Sequence, residues 1–188
     1  MAFKDEKKKV LSRVDNSRKG DIDKEIRKLV DEINSKKSYY TTSSCAGRTV
    51  LLEKNGFKKN GSIWLYETHK KADFDKINIA IKATRTENDV WIKQESAILH
   101  ICSETIEDAD KICKIANFVG FKRAGIICIS PNIMAEIFGN EKVEVRIMRN
   151  GKILVDEEFL KEIVCECNEK MQRNKVKLQK LLDAVTNI

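Results

Sequence analysis

The sequence predicts an α+β fold, and three observations predict it. Strand-like runs come in groups separated by helical periodicity, instead of alternating one strand with one helix. None of these runs is followed by Gly-x-Gly-x-x-Gly, so a Rossmann dinucleotide-binding site is not supported. The chain closes on a single long helical pattern that starts after Asp156. The expected architecture is a set of mixed sheets built from grouped strands, with helices packed on them. A β-β-α grouping recurs and hints at a duplicated unit.

The elements follow in order. Residues 3–14 read as a short basic helix. Asp21 is placed to cap a second helix, in which Ile22, Ile26, Leu29, Val30 and Ile33 recur on one face. Strands are expected at about 38–44, 49–53 and 63–68, with a turn region from Lys54 to Gly61 before the last. Segment 74–83 alternates like a strand, yet Phe74, Ile77 and Ile81 share a helical face, and the helix is preferred. Strands follow at 90–92 and 97–102, the second apolar on both faces as a covered central strand would be. A helix at 105–118 buries Ile112, Ile115, Ala116 and Val119 and stops at Gly120. Strands are expected at about 123–129, 133–138 and 142–148, the first two joined through Ser130-Pro131-Asn132.

Leu160, Val164, Cys167, Met171, Leu178, Leu182 and Val185 form the stripe of the last helix, with a polar break near Asn174. At 1.5 Å per residue a helix over 156–186 is about 45 Å long, more than a small domain needs. Its basic end, Gln172 to Lys180, is therefore expected to project or to pack on a partner chain. The organisation is one domain: N-terminal helices over 1–37, an α+β core over 38–155 and the long helix over 156–188.

Composition narrows the function. Of the 188 residues 41% are hydrophobic, which suffices for a core. No apolar run approaches the ~18 residues of a membrane span, and the charged N-terminus lacks the apolar centre of a signal peptide. A cytoplasmic protein is expected. The net charge of +7 suits a polyanion such as RNA, or simply a lysine-rich surface. The six cysteines include no pair with the spacing of a zinc knuckle. They read as small buried hydrophobes kept reduced. With two histidines and no clustered thiols, no metal site is expected. The run Gly56 to Ser62 starts like a phosphate-binding loop but lacks the lysine after Gly61. Nucleophile-elbow and zinc-protease motifs are absent as well.

The most informative stretch is Ser38-Tyr39-Tyr40-Thr41-Thr42-Ser43-Ser44-Cys45-Ala46-Gly47-Arg48. Its first half suits a strand. Its hydroxyls need partners if buried, and Gly47 lets the backbone turn tightly or approach a ligand before Arg48. It reads either as a ligand-handling strand-to-turn or as a plain edge strand. His100 lies inside an apolar strand and His69 ends Trp64 to His69, so each is either a satisfied core residue or a proton acceptor facing a cleft. Lys93 and Glu95 precede His100. Gly120-Phe121-Lys122-Arg123-Ala124-Gly125 is either a helix stop or a contact for phosphate or substrate.

These segments, in this order, resemble the wybutosine-synthesizing protein 3 family in its archaeal form. The resemblance rests on Asp15 to Asp23, Tyr39 to Arg48, Trp64 to His69, Glu95 to His100 and Gly120 to Ile126, with Thr-Thr-Ser-Ser-Cys-x-Gly-Arg its most specific core. Ala46 and Ala124 stand where the family usually has serine, and Ser96 where it has proline. The resemblance implies a non-Rossmann methyltransferase that uses S-adenosylmethionine. Its acceptor would be N(4) of a demethylwyosine carrying an aminocarboxypropyl chain, beside the anticodon of tRNA-Phe.

On that reading Arg48 holds a carboxylate of cofactor or substrate, and Ser43, Ser44, Cys45 and Gly47 complete the cofactor turn. His100 or Glu95 accepts the N(4) proton, with His69 as a further candidate. Tyr39, Tyr40 or Trp64 stacks on the flat base, and Lys93, Lys122, Arg123 and Gly125 contact substrate or RNA. Two other readings stay open. One is a non-catalytic tRNA-binding module whose Ser/Thr-rich turn cradles a phosphate. The other is a Cys45 nucleophile with His69 or His100 as its base.

Overall fold

Residues 3–12, 22–54 and 61–188 are described by a computed structural model. The Asp21 cap, much of the Asp15 to Asp23 segment and the turn at 55–60 lie outside these residues. The elements run α1 (Phe3–Leu11), α2 (Arg27–Ser35), β1 (Tyr39–Cys45), β2 (Arg48–Lys54), β3 (Ser62–Thr68), α3 (Phe74–Ala83), β4 (Asp89–Glu95) and β5 (Ile98–Ser103). They continue with α4 (Ile106–Phe118), β6 (Arg123–Cys128), β7 (Ile133–Phe138), β8 (Val143–Arg149), β9 (Lys152–Ile153) and α5 (Glu157–Thr186). The ambiguous segment after Asp73 is a helix: the Asp73 carboxylate caps it by accepting the Lys76 N–H, and Ile77 and Ile81 are buried. The two-residue strand β9 is too short to leave a periodic signal.

The strands form two sheets with the orders β1-β5-β7-β6 and β3-β2-β4-β8-β9. The mixed sheets expected from the grouping are corrected: among the described residues every pairing is antiparallel. The sheets differ in strand number and order, so the recurring β-β-α grouping does not become a repeated sheet. The chain divides into two compact units, and both are discontinuous. The first takes Met1–Ala46, Ala97–Asn140 and Asn174–Ile188; the second takes Gly47–Ser96 and Glu141–Arg173.

In the first unit one face of the four-stranded sheet carries Leu99, Ile101, Ala135 and Ile137. These pack with Leu29, Val30 and Ile33 of α2, Ile112 and Ala116 of α4, and Leu178, Leu181 and Val185 of α5. The basic end of the last helix therefore does not project. Its apolar stripe resumes after Asn174 and is buried in this core. Asn174 itself is fully buried; its amide donates to the Ala46 carbonyl at 2.6 Å and accepts the Ala97 N–H at 3.2 Å. The polar break in the stripe is thus a side chain that satisfies two buried backbone groups.

In the second unit β4 alternates strictly, with Val90, Ile92 and Gln94 buried. That face packs with Ile77 and Ile81 of α3 and with Leu160, Ile163, Val164 and Cys167 of α5. Gln94 is satisfied by Thr49, whose hydroxyl donates to it at 2.7 Å. The Asn168 amide both donates to the Ala72 carbonyl and accepts its N–H. Of the cysteines, Cys102, Cys113 and Cys167 are buried as expected, Cys45 and Cys128 are half-buried and Cys165 is exposed. Among the described residues no helix is long and apolar enough to cross a membrane.

Candidate functional site

The site begins with a slip of register. Thr41 pairs with Ile101, yet Ser43 pairs with His100, so Thr42 is an extra residue in β1. Partners directly opposite in a sheet share a face, and a one-residue slip exchanges the faces. Without the bulge Ser43 would oppose Leu99 and point into the helix layer. With it, Ser43 stands beside His100 on the other face, a common use of bulges. Ser44 takes the place opposite Leu99. The two serines expected to act together therefore lie on opposite faces.

His100 is also opposite Glu136 of β7, and Glu136 is opposite Gly125 of β6. Ser43, His100, Glu136 and Gly125 thus form one row across all four strands. The Ser43 hydroxyl lies 2.7 Å from His100 Nδ1, and His100 Nε2 lies 3.0 Å from the Glu136 carboxylate. An ionised carboxylate only accepts, so Nε2 carries the proton and donates it. In the neutral ring Nδ1 is then the acceptor of the Ser43 O–H. A side chain at Gly125 would meet nothing within 4 Å, so the row ends in open space. Arg123, two residues back on β6, is exposed.

Tyr39 and Tyr40 leave the list of stacking residues, because they are 4% and 1% exposed. The Tyr39 hydroxyl donates to the Asp108 carbonyl of α4 at 3.0 Å. Burial, then the Asp108 charge, push its pKa up to about 12. Tyr40 packs against Phe3 of α1, which covers that end of the polar face. Lys122 donates from its ammonium to the Asn117 carbonyl, so it serves the end of α4.

The second unit carries a different constellation. Arg48 donates to Glu95 at 2.7 Å and to Glu67 at 2.9 Å, and its guanidinium stands 4.4 Å from the centre of the Trp64 ring. A guanidinium already held by two carboxylates is poorly placed to grip a third. Trp64 already has the guanidinium over its ring, and Glu95 is held as an ion-paired carboxylate. His69 Nδ1 is 3.0 Å from the Gly47 carbonyl. A carbonyl cannot donate, so Nδ1 carries the proton and fixes the backbone at Gly47, which has a φ of 85°. Lys93 is ion-paired with Glu144. That bond, with the charges of Lys93 and Lys54, holds the Glu144 carboxyl below its usual range.

Of the expected residues, the structure therefore brings Ser43, His100, Gly125 and Arg123 to one face. It places Glu95, Arg48, Trp64, Lys93 and His69 in the second unit, among ion pairs and backbone ties. Glu136 was missed. It lies in an ordinary Ile-Met-Ala-Glu-Ile-Phe strand, and only its pairing with His100 distinguishes it.

The family model for the methyltransferase TYW3 matches residues 5–187. The chain belongs to this family. It is 39% identical over 166 residues to a Pyrococcus furiosus protein named tRNA(Phe) 7-((3-amino-3-carboxypropyl)-4-demethylwyosine(37)-N(4))-methyltransferase 1, covering 87% of this chain and 84% of that one. It is 35% identical over 170 residues to the mouse tRNA wybutosine-synthesizing protein 3 homolog, covering 88% and 65% of the two chains. The solved structure of the PH1069 protein from Pyrococcus horikoshii superposes with a TM-score of 0.90 at 36% identity, over 97% of this chain and 95% of that one. Family membership makes the chain a methyltransferase and agrees with its non-Rossmann α+β fold.

Proposed function

We propose that this chain methylates N(4) of 7-(3-amino-3-carboxypropyl)-4-demethylwyosine at position 37 of tRNA(Phe), the reaction named for its Pyrococcus furiosus relative. The observation that carries the reading is the identity to that enzyme over most of both chains. The reaction would take place in the cytoplasm, on the polar face of the first unit.

S-adenosylmethionine, when bound, supplies an electrophilic methyl group on a sulfonium. The residues on the face fit such a donor and a flat acceptor: there is open space over Gly125, and exposed Arg123 offers a guanidinium to a carboxylate. Both the donor and the aminocarboxypropyl chain carry one. On this reading Arg123 takes the part expected of Arg48. Alignment and exclusion of water are the protein's main contributions to such a displacement. The Ser43 hydroxyl orients the acceptor edge, and His100 Nδ1 receives the proton that the edge releases through Ser43.

The test uses the full chain, S-adenosylmethionine and tRNA(Phe) bearing the demethylated intermediate. Mass spectrometry of the digested nucleosides should show the gain of one methyl group on the tricyclic base. Calorimetry with the cofactor alone should show binding. Salt-sensitive RNA binding with no cofactor binding and no methyl gain would sink the enzyme reading in favour of a tRNA-binding module.

A further inference from the structure

We infer that Glu136 is the positioning residue of this site: it holds His100 in the tautomer protonated at Nε2 and thereby makes Ser43 Oγ the atom that meets the substrate's proton. The inference rests on the methylation reading above and adds a residue to it.

The geometry carries it in three steps. Glu136 and Ser43 sit directly opposite His100 on its two neighbouring strands, so the imidazole is held from both sides by rigid elements. The 3.0 Å contact puts the Nε2 proton on the ring, because the carboxylate has none to give. The 2.7 Å contact then runs from the Ser43 hydroxyl to Nδ1. Ser43 is exposed, whereas His100 is only partly exposed, so a bound base meets the hydroxyl first.

The proton balance is simple. As N(4) takes the methyl group, an N–C bond forms while the donor's C–S bond breaks and its electron pair leaves on a neutral thioether. N(4) releases its proton to Ser43 Oγ, and the Ser43 proton passes to His100 Nδ1. The ring becomes an imidazolium, Glu136 faces its charge, and solvent later takes the proton. A carboxylate that orients and neutralises an imidazole in this way acts through the histidine and does not itself become protonated. The opposite tautomer would turn an N–H toward Ser43 and leave the hydroxyl with no acceptor on the ring.

The chain has two histidines, which makes the test direct. Ring nitrogen-15 shifts, assigned with His69→Gln, should show neutral His100 protonated at Nε2 in the wild type. Glu136→Gln should mix the two tautomers, because an amide can also donate, and should lower kcat on the order of tenfold or more with little change in KM. Glu136→Asp should keep the Nε2 proton and recover more of the rate than glutamine does. Amide spectra report whether each variant is folded; should glutamine fail to fold, the wild-type and aspartate spectra decide. A His100 ring protonated at Nδ1 in the wild type would overturn the inference whatever the activity. So would a folded Glu136→Gln with unchanged tautomer and rate. If instead the tautomers behave as expected and His100→Ala is fully active, the placing of methylation on this face fails while the role of Glu136 toward His100 stands.

Discussion

Each unit turns one sheet face to its core and carries its polar residues on the other, but the two polar faces are built differently. In the first unit three residues are linked in a directional chain, Ser43 to His100 to Glu136, that ends beside open space at Gly125. In the second unit the charges satisfy one another: Arg48 with Glu67, Glu95 and the Trp64 ring, and Lys93 with Glu144. A hydrogen-bond chain with a definite direction can move a proton. Ion pairs that satisfy one another and a stacked guanidinium hold a surface in place. The sequence offered Arg48 and Glu95 as the more obvious chemistry, and their geometry makes them the less available.

The largest effect that would break this contrast is catalytic. Ser43→Ala should slow methylation by about 10²–10⁴-fold. It should change stability by no more than about 0.5 kcal/mol, because the side chain is exposed. In the second unit Glu67→Gln should leave turnover near wild type and cost at most about 1 kcal/mol, as exposed ion pairs do. Single-turnover rates and urea midpoints for both variants decide; the opposite pattern would move the site to the Arg48 face.

The next effect concerns the two asparagines of α5. Asn174→Ala strands the buried Ala46 carbonyl and Ala97 N–H, and each such group costs about 1–3 kcal/mol. The loss in unfolding free energy should be about 2–6 kcal/mol. Asn168→Ala strands a similar pair at Ala72, but Asn168 is only half-buried, so water can enter and about 1–2 kcal/mol is expected. Equal losses would show that burial does not distinguish the two.

A third effect reads the helix-covered side of the first sheet. The Tyr39 pKa of about 12 in the folded state lies above its ordinary value of 10.0. The folded state therefore holds the proton more tightly. This stability is complete below pH 10 and is lost as pH rises from 10 toward 12. Urea midpoints taken through that window should fall in the wild type, and Tyr39→Phe should flatten the fall.

The smallest effect is an acid one on the polar face of the second unit. Glu144 is held below its ordinary pKa of 4.5, chiefly by its bond to Lys93, so its contribution is present above that value and fades as pH falls further. The carboxylate is exposed, so the change should stay below about 1 kcal/mol and shrink with added salt. Glu144→Gln should remove it.

Much of the fold was legible along the chain. The strand at Tyr39, the helix after Asp73 and the helix from Glu157 all announce themselves through local periodicity or caps. The partners were not legible. β1 pairs with β5 across some sixty positions, and the chain enters the first unit three times. For the same reason the basic end of α5 read as a projecting arm: its burying surface comes from sheet and helix residues far earlier in the chain, from Leu29 of α2 to Ile137 of β7.

Local sequence was enough for the order of the elements, the lack of a Rossmann motif and, through the Ser-Ser-Cys-x-Gly-Arg segment, the family. These depend on residues close together in the chain. Which of the hydroxyls faces His100 depends on strand pairing, because the bulge at Thr42 exchanges the two faces of β1. Pairing between distant strands also brings Glu136 to the imidazole and commits Arg48 to Glu67 and Glu95. Sheet register is set by the packing of both faces at once, and no local pattern records which strand will lie alongside.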